Sequence, residues 1–154
     1  MVSTLLKSAT RSTLNVIAVD YAAYGLLIHS VRQAVFVDEQ AIPAELEIDR
    51  HDPISHHVLA WWEGRPIGTG RLNPEGRIGR VAVVRPFRRR GVGLCIMRKL
   101  LEVAKQQEHP EVVLAAQQHA IKFYEKLGFQ PEGDMFPELG INHIMMRKPL
   151  AEPE

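Results

Sequence analysis

The stretch "VAVVRPFRRRGVGLCIMRKLL", Val81 to Leu101, decides how the rest of this chain is read. An apolar, β-branched run ends, four arginines fall between Arg85 and Arg90, and Gly91-Val92-Gly93 opens a segment of helical pattern. Leu94, Met97, Leu100, Leu101 and Ala104 share one helical face, with Arg98, Lys99, Glu102 and Lys105 opposite. A strand that turns through Gly-x-Gly into a helix is an anion-binding geometry. The first helical N–H groups lack intrahelical acceptors, and the helix dipole adds partial positive charge at the same point. Glycines at 91 and 93 let a phosphate approach the backbone closely and permit unusual torsions. Arg88, Arg89 and Arg90 surround the cradle with donors suited to phosphate oxygens.

The rest of the chain makes this charge a local feature. Its 154 residues carry a formal net charge of +1, with 45% hydrophobic and 24% charged residues, which predicts one soluble globular domain. No overall field points to nucleic acid or an anionic membrane, and no basic stripe interleaved with aromatics appears. Cys95 is the only cysteine, so a reducing compartment is expected. The N-terminal residues lack the apolar core of a signal peptide and no run is long enough to span a bilayer, so a cytoplasmic protein is expected.

Outward from the opening stretch, Leu14 to Val19 reads as a strand, and Asp20 caps a helix through about Val35. Asp38 to Pro53 is acidic and reads as a solvated loop with one helical turn. "HHVLAWWEG" and "RPIGTGRLN" form a hairpin about Glu63-Gly64, and Arg77 to Val84 forms the next strand. Glu111 to Ala116 closes a β-α-β unit, a helix from about His119 ends at Gly128, and strands follow near Gln130 to Phe136 and Ile141 to Lys148.

Among phosphate sites, the Walker pattern is absent, and a dinucleotide fingerprint fails because its third glycine position is Ile96. What remains is R-x-x-G-x-G, met by Arg88, Gly91 and Gly93. A second motif, "QQHAIKFYEKLGF" (Gln117 to Phe129), carries a tyrosine on a helix that ends in Leu-Gly-Phe. Together the two resemble the signature of the GNAT superfamily of N-acetyltransferases. "VRQAVFVDEQAIPAELEIDRHD" and "GINHIMMRK" are similar to its ElaA/YjcF-like branch, and the likeness runs from about residue 14 to 150.

That resemblance implies an α+β GNAT fold spanning 1–154 as a single domain. Its central sheet has about seven strands, mixed but mostly antiparallel, with helices on both faces and a splay between strands 4 and 5. It implies acetyl-CoA as co-substrate: pantetheine along Val81, Ala82 and Val83, and pyrophosphate on the backbone of Arg89, Arg90, Gly91, Val92, Gly93 and Leu94. Gln117, where many members have asparagine, belongs with that implied site. Tyr124 is implied as the acid for the coenzyme A sulfur. His119 is the first candidate base and His143 the second, while Glu45, Glu47 and Asp49 act through water or attract a cationic acceptor. The acceptor is an amine of a small molecule or peptide. The competing reading is a non-catalytic acyl-CoA-binding module. Dimerisation is common in the superfamily, so a homodimer through the terminal strands is an expectation. No spacing suggests a metal site.

Overall fold

The computed structural model describes residues 14–150. Its strands are β1 (Leu14–Val19), β2 (His56–Trp62), β3 (Arg65–Leu72), β4 (Arg77–Val83), β5 (Glu111–Gln117), β6 (Gln130–Glu138) and β7 (Ile141–Pro149). Helices α1 (Tyr21–Arg32), α2 (Ala44–Glu47), α3 (Val92–Gln106) and α4 (Ile121–Lys126) connect them. One sheet runs in the order β1-β2-β3-β4-β5-β7-β6, antiparallel throughout except where β4 meets β5. This is the α+β arrangement that the resemblance implied.

Asp20 caps α1 as its position predicts, accepting from the Ala23 amide at 3.0 Å. The helix does not run on to Val35. It ends at Arg32 and widens into a π-helical segment, Gln33–Glu39, where the Gln40 amide reaches back to Val35 O and Ile42 to Phe36 O. The widened turn brings Val35, Phe36 and Ile42 together with Val31 over Ala82 of β4. On the other face Val81 packs into the larger core under α3. Adjacent residues of one strand thus anchor opposite layers, as pleating requires.

The buried face of α3 comprises Val92, Ile96, Met97, Leu100, Val103 and Ala104, with Leu101 at its margin. It is rotated from the face read in the sequence, and two bare positions on β3 explain why. A Cβ at Gly68 would lie 2.7 Å from Ile96 Cδ1, and one at Gly70 would lie 2.7 Å from Leu100 Cδ1. The "PIGTG" backbone therefore seats Ile96 and Leu100 directly on the sheet.

The feature that makes room for a site is where β4 and β5 part. Their parallel ladder holds only Arg77 with Val113 and Ile78 with Leu114, whereas β5 pairs with β7 along its whole length. Beyond Ile78 the sheet divides.

Candidate functional site

At the end of β4 the chain turns into α3 through a loop of unusual backbone. Arg89 and Gly91 both have positive φ, 63° and 81°. Gly91 precedes the first turn of α3 with no side-chain cap, and the first bond back to it comes from the Cys95 amide at 3.1 Å. The N–H groups of Val92, Gly93 and Leu94 thus have no intrahelical acceptor. Gly91 is required by torsion, since a Cβ there meets nothing within 4 Å. Gly93 takes no positive φ, and a Cβ there would touch Phe123 at an ordinary 3.5 Å. The two glycines therefore serve different purposes.

The arginines divide. Arg88 donates to both oxygens of Glu39 at 2.6 Å and, through Nε, to the carbonyl of Val83 at 2.8 Å. Arg85 approaches the same carboxylate at 3.3 Å. Arg88's hydrogen bonds, with burial opposing, hold Glu39 below the usual carboxylate range. Arg88 is therefore a brace between the cradle and the π-helical segment rather than a free donor. Arg89 and Arg90 are exposed and form no ion pair among the described residues; Arg90 lies over the Phe87 ring at 5.8 Å. Two charges out of four remain for an anion.

Strand β4 faces β3 through Ala82, which pairs with Thr69, and just past its end the Val84 amide bonds Ile67 O at 2.9 Å. By the alternation of antiparallel bonding, Val81 and Val83 turn their backbone groups to the opposite edge, where the β5 ladder has already ended. Ala82 contributes a buried side chain instead. A cleft of about 980 Å³ follows this open edge, lined among others by Arg89, Gly93, Val83, Tyr124, His119 and His143. Of the residues expected to hold the cofactor, Arg90, Gly91, Val92 and Leu94 do not line it; Val92 is a core side chain whose contribution is its amide.

Tyr124 lies on α4 with its ring edge-on to Phe123 and Phe129, at centroid distances of 5.1 and 5.8 Å. Burial among them pushes its phenol up to about 12. Its hydroxyl bonds none of the described residues. Gln117, the last residue of β5, exchanges amide hydrogen bonds with Gln40 at 3.0 and 3.1 Å, a clasp from one side of the divided sheet to the other. His119 is exposed in the turn Gln118–Ala120. His143 sits on β7 directly across from Gln117, nearly buried.

The acidic segment departs most from expectation. Glu47 and Asp52 are buried, not solvated, and with Asp49 they alternate with three arginines in a closed ring. Arg32 pairs with Glu47 and Asp52, Arg71 with Asp52 and Asp49, and Arg80 with Asp49 and Glu47. Three positive and three negative charges cancel, so Glu47 and Asp49 are not free to recruit a cationic acceptor. The ring also holds Arg80 at a φ of 53°, the bulged residue of β4 opposite Gly70. A non-glycine residue keeps such a conformation when its surroundings over-determine it. Here Arg80 donates to the Glu47 carbonyl and carboxylate, both at 3.0 Å. The sequence offered only the charges, spaced over nearly fifty residues; nothing local marks Arg32, Arg71 and Arg80 as neighbours. Among the described residues no three His, Cys, Asp or Glu side chains converge as metal ligands would, and no helix is long and apolar enough to cross a membrane.

Comparison with known proteins agrees with this fold. The family model for the acetyltransferase (GNAT) domain matches residues 17–150. The uncharacterized N-acetyltransferase YjcF of Bacillus subtilis is 36% identical over 122 residues, 77% of this chain and 87% of the relative. The crystal structure of Escherichia coli ElaA superposes with a TM-score of 0.79 at 28% identity, covering 88% of this chain and 99% of that one. That of an acyl-CoA N-acyltransferase from Pseudomonas aeruginosa superposes with a TM-score of 0.77 at 31% identity and the same coverage.

Proposed function

The chain belongs to the GNAT acetyltransferase family, and from that premise we propose that it transfers the acetyl group of acetyl-CoA directly to a primary amine of a small molecule or peptide. The observation that carries this reading is the divided sheet. It leaves the Val81 backbone and the Val83 N–H open beside an uncapped helix N-terminus flanked by Arg89 and Arg90, the Val83 carbonyl being taken by Arg88. Such a site fits a ligand with phosphates at one end and amides along its length. Amides pair with the strand edge, and phosphates meet the first amides of α3 and the two free arginines.

In the reaction the amine nitrogen bonds the thioester carbonyl carbon and the carbon–sulfur bond breaks. The Val83 N–H faces the open edge and is the donor available to the carbonyl oxygen as it gains charge. Tyr124, neutral at any physiological pH, donates to the departing sulfur. A histidine at the cleft takes the proton that the amine must lose. The test incubates the purified protein with acetyl-CoA and a panel of amines including benzylamine, spermidine and a lysine peptide. Thiol release and an acetylated product of the correct mass are expected with at least one. Melting-point elevation by coenzyme A without any turnover would favour the non-catalytic binding module instead; no elevation at all removes the cofactor reading.

The two glycines give a sharper check. Gly91→Ala forces a side chain into the left-handed region and is expected to cost about 1–2 kcal/mol of stability. Gly93→Ala meets no clash in the free protein and should melt no lower than wild type. It should nonetheless bind coenzyme A at least tenfold more weakly by calorimetry, because its methyl group occupies the approach to the cradle. Unchanged affinity in Gly93→Ala would take this residue out of the site.

A further inference from the structure

Resting on the acetyl-transfer reading, we infer that His143, rather than His119, is the base that deprotonates the acceptor amine. The argument begins with tautomers. His143 Nδ1 lies 2.7 Å from the carbonyl oxygen of Ile141. A carbonyl only accepts, so Nδ1 carries the hydrogen and the neutral ring keeps its lone pair on Nε2. That nitrogen bonds none of the described residues, and it is not among the buried polar atoms lacking a partner. It is open to the cleft that His143 lines.

The ring is also held in place. It stacks on Phe136 of β6 with 22° between planes, and its residue stands opposite Gln117 of β5 and Phe136 of β6 in the sheet register. Residues directly opposite across a ladder lie about 5 Å apart at Cβ. The clasp residue Gln117 and the ring of His143 therefore share one wall of the cleft. His119 has neither restraint: it is exposed, and no hydrogen bond to a described residue orients its ring. A base effective in proton transfer needs a lone pair fixed toward the substrate, and His143 has one.

The other ionisable groups around this end of the cleft are few. Glu138 comes from β6, His119 from the turn after β5, Tyr124 from α4 and Arg89, unpaired among the described residues, from the loop before α3; Arg88 and Glu39 neutralise each other. In the proposed step His143 Nε2 accepts the proton of the attacking nitrogen and later releases it to water. Tyr124 keeps its own proton and donates a hydrogen bond to the sulfur, and coenzyme A leaves as the thiolate.

The decisive variant is His143→Asn. An asparagine amide reproduces the Nδ1 donation to Ile141 and removes the basic nitrogen. With benzylamine and spermidine as probes, kcat/KM at neutral pH should fall about 10²–10³-fold. The acidic limb of its pH profile should also disappear, while the melting temperature and coenzyme A affinity hold. His143→Gln, run in parallel, guards against a folding defect specific to asparagine. His119→Gln should raise KM for the amine more than it lowers kcat. Nitrogen-15 resonances of wild-type His143 should report the Nδ1–H tautomer. A retained acidic limb in His143→Asn, its loss in His119→Gln, or an Nε2–H tautomer each overturns the assignment while leaving acetyl transfer standing. If wild type acetylates none of the amines, the acetyl-transfer reading and the base fall together.

Discussion

Arg32→Met lowers the unfolding free energy by about 3–5 kcal/mol, the penalty for leaving buried charges without their partner. For a chain of this size that means a fall in Tm of about 10 °C or more. Arg32 is 0% exposed and donates to the Glu47 carboxylate and carbonyl and to both oxygens of Asp52. Methionine fills much of the space but opens the six-membered ring, leaving Arg71 to hold Asp52 and Arg80 to hold Glu47. The pH dependence identifies the cause. Burial alone would raise the Asp52 carboxyl, yet hydrogen bonds and charge from Arg32 and Arg71 hold it at about 2. A carboxyl depressed in the folded state contributes its stability above the unfolded value of about 3.9 and loses it as the pH falls through about 2. The gap between wild type and Arg32→Met should therefore be full at pH 7 and narrow between about pH 4 and pH 2. Urea unfolding across that range measures it. A gap independent of pH means that Arg32 acts by packing alone. Arg32→Lys separates charge from geometry: it keeps the charge but cannot bridge two carboxylates, so it should recover only part of the loss.

The ring also marks how much of the molecule was legible in the residues. The cradle was, because its signals are local: strand pattern, arginines, Gly91 and the amphipathic helix all fall within twenty-one residues. Strand and helix order followed from the same short-range periodicities. The seat of α3 is not legible locally, since the apolar residues allow more than one face and the choice is made by Gly68 and Gly70 on another element. The acidic segment hides its role for a related reason. Loop carboxylates look solvated until the arginines of α1, β3 and β4 are brought beneath them, and only the fold does that. The brace from Arg88 to Glu39 is likewise hidden, because the two lie 49 residues apart along the chain. Each of these is a long-range pairing between groups whose local sequence is ordinary.

Tyr124→Phe is expected to reduce kcat about 10²-fold, comparable to removing one preorganised donor from a developing charge. It should leave both the melting temperature and coenzyme A affinity unchanged. Stability holds because the lost hydroxyl bonds none of the described residues, while the edge-on packing against Phe123 and Phe129 needs only the ring. The raised pKa, about 12, narrows the role of the phenol. Thiols titrate near 8.5, so a phenol that holds its proton to about 12 does not surrender it to a thiolate at equilibrium. In the proposed transfer its part is a hydrogen bond to sulfur as the carbon–sulfur bond breaks. Such a donor acts in the transition state more than on bound substrate, which places the loss in kcat rather than KM. It also stays protonated throughout an assay from pH 6 to 10, so no alkaline limb in that range belongs to Tyr124. Single-turnover measurements with the best amine of the panel isolate the chemical step from product release. If they show Tyr124→Phe reacting as fast as wild type, the sulfur departs without help from this side chain, and the tyrosine is there to pack the cleft.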